Sequence, residues 1–412
     1  MQEGKKKTWS LTWILLELAV FFSVFSQIGP LETIARPGMY AIWISVLLAG
    51  CVKNGGRIVL SRFSVRFLIA YVLFCLLCAT TGLFDGNHLS TNYLRVLLVP
   101  LLVTIVGDMY ANEDNDLLNR IGRLYLICSV VYAIWVHATF FPSYSAWLVS
   151  RIYLFPSKNS AGQIWASAIY VSILLLDKRN IFERILVYIA CGYLLFMIGI
   201  SQCRTVLLGI IISLLAFFIS RTKKKVKWIA FLSLLAIVAW VIPITRQFIE
   251  QALFLSKFEG GDFNTFSSLR VVKNQAAFMV FLSSPFIGIG EYYVDNSYLL
   301  ILAESGLIGF CIIEWIWTKK IAICFKYRGK TSEQTFLFMM TVFYIIESIL
   351  EGFPPFGPGV SSLMFWLLSS LLVARSNREL SNQQTDQSLA FSQMRQAPLL
   401  KPHLKWQGKV EL

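Results

Sequence analysis

Long uninterrupted apolar runs recur along the chain and limit its fold more than any other feature. Each run has about 17 to 22 residues, close to the ~20 residues that a helix needs to cross the hydrocarbon core of a bilayer. Every backbone N–H and C=O group in hydrocarbon must be satisfied within the protein, so only helices or closed barrels span a membrane. The runs are continuous rather than short and alternating, which favours helices over a barrel.

These runs predict an all-α polytopic membrane protein with about 12 transmembrane helices. The composition agrees, because 15% of the residues are charged, whereas a soluble domain has about 25%. Residues 1–375 are predicted to form the membrane domain, and the polar residues 376–412 a flexible cytoplasmic tail. The predicted spans are residues 11–29, 38–52, 64–82, 92–109, 121–141, 160–176, 182–200, 203–220, 226–244, 296–317, 335–351 and 358–374.

The Lys and Arg residues alternate between the predicted loops and thereby predict the orientation. If both termini are cytoplasmic, most of the 37 Lys and Arg residues lie inside, as the positive-inside rule requires. The net charge of +14 is then mainly a topology signal and a contact with anionic lipid. Nucleic-acid binding is the weaker interpretation, because the basic residues are distributed among many loops. The basic residues on the predicted outer face are Arg36, Arg95, Arg151, Lys158, Arg204, Arg246, Lys257, Arg270 and Lys273.

The longest predicted outer loop spans residues 245–295. Loops longer than about 15 residues are usually functional or disordered, and this one is too aromatic for disorder. It contains a stretch with a helical pattern from Ser268 to Ser283. The loop closes with the sequence Ser284-Pro285-Phe286-Ile287-Gly288-Ile289-Gly290.

Two arginines at the predicted outer boundary are candidate phosphate-binding residues. Arg204 lies in the short turn between two spans, where it either snorkels to the lipid headgroups or binds a phosphate through paired charge-assisted hydrogen bonds. Arg270, with Lys273 one turn later, taken alone is as consistent with a solvated helix face. Two guanidinium groups on one face would suit the negative charge of a departing diphosphate.

Asp295-Asn296-Ser297-Tyr298 opens the tenth predicted span. Asp, Asn and Ser all favour the N-cap, so helix capping is one interpretation. Another is that Asp295 acts as a general base toward a sugar hydroxyl, because a carboxylate at an apolar boundary can have a raised pKa. Tyr298 is typical of an interfacial belt or of a ring that stacks on a sugar.

Three glutamates fall within or at the end of apolar runs. Glu304 lies further into the tenth span, and Glu347 and Glu351 end the eleventh. Each is either a hydrogen-bonding partner in helix packing or part of a polar cavity. The sequence leaves both interpretations open.

These segments resemble the O-antigen polymerase and ligase family of bacterial membrane glycosyltransferases, over roughly residues 150–350. The resemblance implies a GT-C-like fold in the bacterial inner (plasma) membrane. It also implies metal-independent transfer of glycan from undecaprenyl pyrophosphate at the outer side of that membrane. The segments that carry the resemblance are Phe155-Pro156-Ser157-Lys158-Asn159, Ser201 to Thr205, Ser268 with Arg270, Ser284-Pro285 with Gly288-Ile289-Gly290, and Asn296-Ser297-Tyr298-Leu299 running into Glu304-Ser305-Gly306-Leu307-Ile308-Gly309.

The resemblance also implies roles for individual residues. The family's paired arginines, taken to hold the pyrophosphate, map onto Arg204 and Arg270. Family ligases usually carry a histidine immediately before the Asn of the tenth-span motif, where this chain has Asp295. That difference favours a polymerase of O-antigen, capsule or exopolysaccharide. We then take Asp295 as the candidate base, with a nearby glutamate as the alternative. The further candidate substrate-binding residues are Lys158, Asn159, Lys273, Asn296, Tyr298 and Glu304.

Two alternative functions remain open at this point. The first is a ligase that transfers finished glycan to an acceptor such as lipid A core. The second is a lipid-linked oligosaccharide flippase or transporter, although we find no internal repeat of the kind that transporters use. No metal or other cofactor is expected, because the chain has three histidines and its eight cysteines are scattered. The expected partners are undecaprenyl-pyrophosphate-linked glycan, membrane lipids, and a chain-length regulator and flippase; nucleic acid is not expected.

The predicted topology can be tested with alkaline phosphatase fusions, since this enzyme needs disulfides that form only outside the cytoplasm. A fusion after Tyr153, in a predicted outer loop, is expected to be active. A fusion after Arg179, in the next predicted inner loop, is expected to be inactive, and a green fluorescent protein fusion there serves as the positive control. The reverse pattern would show that the orientation is wrong.

Overall fold

The long apolar runs of the sequence form α-helices in the computed structural model of the chain. The chain is all-helical within the described residues, which contain no strand. Almost all of the predicted tail, residues 376–412, lies outside them. The described residues are 11–85, 91–111, 113, 115–141, 143–149, 155, 157–176, 180–221, 230, 233–234, 237–253, 255, 267–326, 331–357 and 360–377.

The helices are labelled here in chain order. They are α1 (Leu11–Phe25), α2 (Glu32–Lys53), α3 (Arg62–Asp85), α4 (Thr91–Met109), α5 (Asn115–Phe140), α6 (Tyr144–Val149), α7 (Lys158–Leu176), α8 (Ile181–Ile200), α9 (Arg204–Arg221), α10 (Pro243–Leu253), α11 (Arg270–Ser283), α12 (Ser297–Lys326), α13 (Ser332–Leu350) and α14 (Leu363–Asn377). The helix predicted from Ser268 to Ser283 is confirmed as α11, which begins two residues later.

Seven of the described helices are long and apolar enough to cross a membrane: α2, α3, α5, α7, α8, α12 and α13. Four shorter apolar helices, α1, α4, α9 and α14, also coincide with predicted spans. Part of the predicted span 226–244 lies outside the described ranges, namely residues 226–229, 231–232 and 235–236. The multi-pass, all-helical prediction is therefore confirmed, and the count of 12 spans and the sidedness of the loops remain predictions.

Helix α8 illustrates how the apolar surface is distributed. Its side chains at Ile181, Phe182 and Ile189 are 79%, 66% and 62% exposed, whereas Leu194 and Met197 near its other end are fully buried. An apolar surface of this kind would be unfavourable in water. In a bilayer it contacts lipid at no such cost, which agrees with a multi-pass membrane protein.

Small residues bring α7, α9 and α13 close together, and the candidate site is built at their ends. Gly162 of α7 faces Cys203, at the start of α9, so closely that a Cβ would lie 3.0 Å from the sulfur. Gly209 of α9 faces Phe343 and Glu347 of α13 in the same way. Helices in a membrane associate largely through such close backbone approach.

Helix α12 is broken at Gly306, and a loop seals the break. Gly306 has a left-handed φ of 62°, a conformation that glycine adopts readily. The loop that precedes α12 lies against this point. Leu307 N donates to Pro285 O (2.8 Å), and Ile289 N donates to Ala303 O (2.9 Å). The backbone groups freed by the break are thus paired inside the protein, as hydrocarbon surroundings require.

The contact between loop and helix requires a second glycine, Gly288. It also has a positive φ (75°), and a Cβ at this position would collide with the backbone of Glu304. The motif Ser284-Pro285-Phe286-Ile287-Gly288 is therefore explained by packing. Ser284 Oγ donates to Gly288 O (2.7 Å) and closes the turn.

Substituting Gly288 by alanine is expected to destabilise the fold. The left-handed backbone alone costs an L-residue about 1–2 kcal/mol, and the collision with Glu304 adds to this. The matched control is Gly192→Ala in α8, where a Cβ meets nothing within 4 Å. Thermal unfolding in detergent should show a lower midpoint for Gly288→Ala only; equal midpoints would contradict the proposed packing role.

Candidate active site

The side chain of Glu351 joins three helices at one end of the bundle. Helix α13 ends at Leu350, and Glu351 follows it in an extended conformation. Its Oε1 accepts hydrogen bonds from Arg270 Nη2 (2.8 Å), Asn159 Nδ2 (2.9 Å) and Thr205 Oγ1 (3.1 Å). These donors lie in the first turns of α11, α7 and α9. A carboxylate near three helix N-termini is also favoured by the helix dipoles.

The environment of Glu351 has two opposing electrostatic effects. Its side chain is 8% exposed, and this burial disfavours the charged carboxylate, while the Arg270 guanidinium favours it. The ion pair with Arg270 and the hydrogen bonds from Asn159 and Thr205 compensate for the lost solvation. Glu351 is therefore a firmly held carboxylate.

A second carboxylate, Asp295, lies on the other side of Arg270. Its Oδ2 is 3.8 Å from both Arg270 Nε and Lys273 Nζ, and its Oδ1 accepts a hydrogen bond from the Tyr293 hydroxyl (3.0 Å). Arg270 Nε is buried without a hydrogen-bond partner among the described residues. Arg270 thus lies near two acidic groups, and its buried Nε–H faces Asp295 at a distance longer than a hydrogen bond.

Arg204 is brought to the same region by the turn that precedes α11. Arg204 Nη2 donates to Ser268 Oγ at 3.0 Å. Ser268 and Leu269 both have positive φ values (58° and 62°), so the chain turns sharply just before Arg270. The charges of Arg204 and Arg270 are close enough to repel each other. An anion bound between them would relieve this repulsion.

A cavity of about 270 Å³ lies beside Glu351. Four of its lining residues belong to the start of α7, including Lys158 and Asn159. Lys158 adds a positive charge there, and a helix N-terminus itself favours anions. Tyr293 and Glu351 connect the cavity to the Arg270 cluster. The full lining consists of Ser157, Lys158, Asn159, Ser160, Gln163, Tyr293, Glu351, Gly352, Phe353 and Pro354.

A deeper polar pair supports Glu351 and Asn159. One helical turn below them, Gln163 Nε2 donates to Glu347 Oε2 (2.8 Å), and both side chains are fully buried. Helices α7 and α13 are therefore joined by two amide–carboxylate pairs at i and i+4 spacing. The helix-packing interpretation of Glu347 is confirmed, and the pairs set the register of the two helices.

Three other predicted site residues, all at the start of α12 or within it, make contacts outside the cluster of Arg204, Arg270, Asp295 and Glu351. Asn296 caps α12, since its Oδ1 accepts from Leu299 N (3.0 Å), and its Nδ2 donates to Ile349 O (3.1 Å) at the end of α13. Glu304 Oε1 accepts from Tyr292 N (3.4 Å) and so holds the sealing loop. The Tyr298 ring lies 6.5 Å from the Phe310 ring. The capping interpretation is therefore confirmed for Asn296.

The sequence alone left the role of Glu351 open and did not single out Thr205. Glu351 follows an apolar run, a position equally consistent with packing and with a polar cavity. Thr205 follows Arg204 in a short turn and carries no charge. Their common role depends on contacts across 81 to 192 residues of the chain, and such contacts leave no local pattern.

The comparison with known families adds one finding. Residues 189–313 match the family model for O-antigen ligase. This match confirms the resemblance to the O-antigen polymerase and ligase family. It extends from α8 into α12 and includes Arg204, Arg270 and Asp295, while Lys158 and Glu351 lie outside it. A search of curated proteins gives no match. The family points to a membrane enzyme of the glycosyltransferase type.

The described residues contain no group of three His, Cys, Asp or Glu side chains that could hold a metal ion.

Replacing Glu351 by alanine is expected to lower the free energy of unfolding by about 3 kcal/mol, because it removes the carboxylate that is hydrogen-bonded to a half-buried arginine. The control is Glu250→Ala, which removes the exposed ion pair with Arg246 and should cost less than about 1 kcal/mol. Unfolding in detergent measures both. Equal, small losses would show that Glu351 does not hold Arg270 in place.

Proposed function

We propose that the chain polymerises undecaprenyl-pyrophosphate-linked oligosaccharide repeat units into O-antigen, capsule or exopolysaccharide. The proposal places the reaction at the outer face of the inner membrane, with both termini in the cytoplasm and with a chain-length regulator and flippase as partners. The observation that carries it is the position of Arg270 between Asp295 and Glu351, beside Arg204 and a cavity of about 270 Å³.

The positive groups would stabilise the leaving pyrophosphate. As the bond between the anomeric carbon and the phosphate oxygen breaks, the electron pair stays on that oxygen. Cations placed at this point lower the barrier, because they meet charge that develops in the transition state. Arg270 and Arg204 provide planar guanidinium groups suited to phosphate oxygens. Lys158 and Lys273 add positive charge on either side.

Asp295 is the proposed general base. The acceptor hydroxyl oxygen would attack the anomeric carbon from the side opposite the pyrophosphate, so the configuration inverts, and its proton would pass to Asp295. Glu351 is less suited, because its Oε1 already accepts three hydrogen bonds. The Asp295 side chain is also more exposed, at 19% against 8% for Glu351.

The contacts of Asp295 indicate how substrate binding would prepare it. Its distances to Arg270 Nε and Lys273 Nζ, 3.8 Å each, exceed those of hydrogen bonds. A diphosphate carries more negative charge and would replace Asp295 as the partner of these cations. Asp295 would then be available to the acceptor hydroxyl, while Glu351 and Asn159 keep Arg270 in position.

A ligase is the second candidate, and the description of the matched family model as O-antigen ligase favours it. The same cations would hold the same leaving group. The acceptor would be a molecule such as lipid A core instead of a second lipid-linked unit. Asp295 in place of the histidine that family ligases usually carry favours the polymerase.

The test compares surface glycan in the native host between a deletion strain and strains carrying Arg204→Ala, Arg270→Ala or Asp295→Asn. For a polymerase, each variant should leave mainly single-unit glycan. Loss of a general base typically lowers the rate by about 10²–10⁴-fold. Arg246→Ala is the matched control, because this exposed arginine pairs with Glu250 on α10.

The outcomes separate the candidates once each variant is shown to be inserted in the membrane. Loss of surface glycan with long polymer still attached to lipid would identify a ligase. Normal glycan ladders in all three variants, as in the Arg246→Ala control, would show that the site is assigned wrongly. Wild-type ladders in the deletion strain would refute both functions.

A further inference from the structure

A second cavity, of about 480 Å³, lies at the opposite end of the helix bundle. Helix α12 begins at Ser297, beside the candidate active site, and ends at Lys326, which lines this second cavity. The 20 residues after the break at Gly306 account for about 30 Å of helix, the thickness of a hydrocarbon core. The two cavities are therefore at opposite membrane boundaries, and the second takes no part in the proposed reaction.

Three basic side chains line the second cavity. Arg62 and Arg66 are one turn apart on α3 and so project from the same face of that helix. Lys326 approaches from the end of α12. In the described part of the chain, these three side chains take part in no hydrogen bond or ion pair. Other basic groups are neutralised, since Lys53 pairs with Glu113 and Arg120 pairs with Glu17.

Asp108, the acidic residue of the lining, makes its hydrogen bonds within the protein. It is 2% exposed, and its Oδ2 accepts hydrogen bonds from Ser61 N (2.8 Å) and from Ser64 Oγ. Asp108 thus holds the first turn of α3, which places Arg62 and Arg66 at the cavity.

A further positive charge lies behind one wall of the cavity. Lys320 Nζ is 4.9 Å from the centroid of the Phe63 ring and donates to Ser370 Oγ (2.9 Å). Phe63 lines the cavity. The charges around the cavity therefore favour an anion.

The remaining lining is apolar on one side. Val59, Ile323 and Val373 form part of the wall. The ligand that fits is an amphiphile whose anionic group meets the cations and whose apolar part lies along these side chains. Arginine pairs bind phosphate oxygens particularly well, and lipid headgroups would reach a cavity at the membrane boundary. We propose that this cavity binds the phosphate headgroup of an anionic phospholipid.

The test uses the full chain purified in neutral detergent, with binding of phosphatidylglycerol and phosphatidylcholine followed by native mass spectrometry. Arg62→Gln/Arg66→Gln removes two charges from the cavity. The matched control, Arg57→Gln/Lys319→Gln, removes two exposed charges that do not line it. A basic residue near anionic lipid is worth about a fivefold change in affinity. The cavity variant should therefore bind phosphatidylglycerol about 25-fold more weakly, while the control binds like the wild type.

Three results would overturn the proposal. Equal weakening in both double variants would mean that only diffuse surface charge attracts the lipid. No weakening in the cavity variant would mean that the cavity does not bind it. Displacement of phosphatidylglycerol by an equal concentration of glycerol phosphate would show that the acyl chains add no affinity, and would identify a water-soluble phosphate compound as the ligand. Thermal unfolding of each variant must match the wild type, and Lys326→Gln provides an independent cavity variant if the double variant unfolds.

Discussion

The ion pair between Arg270 and Glu351 is the contact on which the candidate site depends. A charge at a membrane boundary is costly unless a partner and hydrogen bonds replace its water. Glu351 provides this for Arg270, and its other two donors come from α7 and α9. The same oxygen therefore holds the arginine and fixes three helix ends around it. Asp295 and Lys273 are then placed on the remaining side of Arg270.

The break in α12 requires a loop that pairs its backbone groups, and this loop leads to the proposed base. Backbone groups released by Gly306 have to be paired inside the protein, and the loop from Ser284 to Gly290 provides the partners. Two glycines allow the backbones to approach, and Glu304 holds the end of the loop through Tyr292 N. Because this loop leads directly to Tyr293 and Asp295, the seal also determines where the proposed base lies. The residues of this loop motif lie away from the proposed reaction, and their packing contributes to it by positioning the Asp295 carboxylate.

The basic residues at the two ends of the bundle differ in whether acidic side chains balance their charge. At the candidate active site, Arg270 is balanced by acidic side chains, so an incoming diphosphate would have to exchange with them. At the other end, Arg62, Arg66 and Lys326 have no such partner among the described residues, and Asp108 is turned toward the start of α3. A cation whose carboxylate partner can be replaced by substrate can release its product again, as turnover requires. Cations without an acidic partner favour a ligand that stays bound.

The sequence by itself determined the helical, multi-pass class, because run length and apolar content are local properties and the bilayer imposes them on every span. It also indicated α11, the cap at Asn296 and the family, through short motifs. Only the tertiary structure decided that Glu351 lies at the centre of the site and that Glu304 supports a loop. It also decided that Lys320 lies within α12 among Phe63, Phe365 and Trp366. The physical reason is that a carboxylate or a lysine at the end of an apolar run has the same local pattern whether it faces water or a partner. The partners of Glu351 are 81, 146 and 192 residues away, and only packing brings them together.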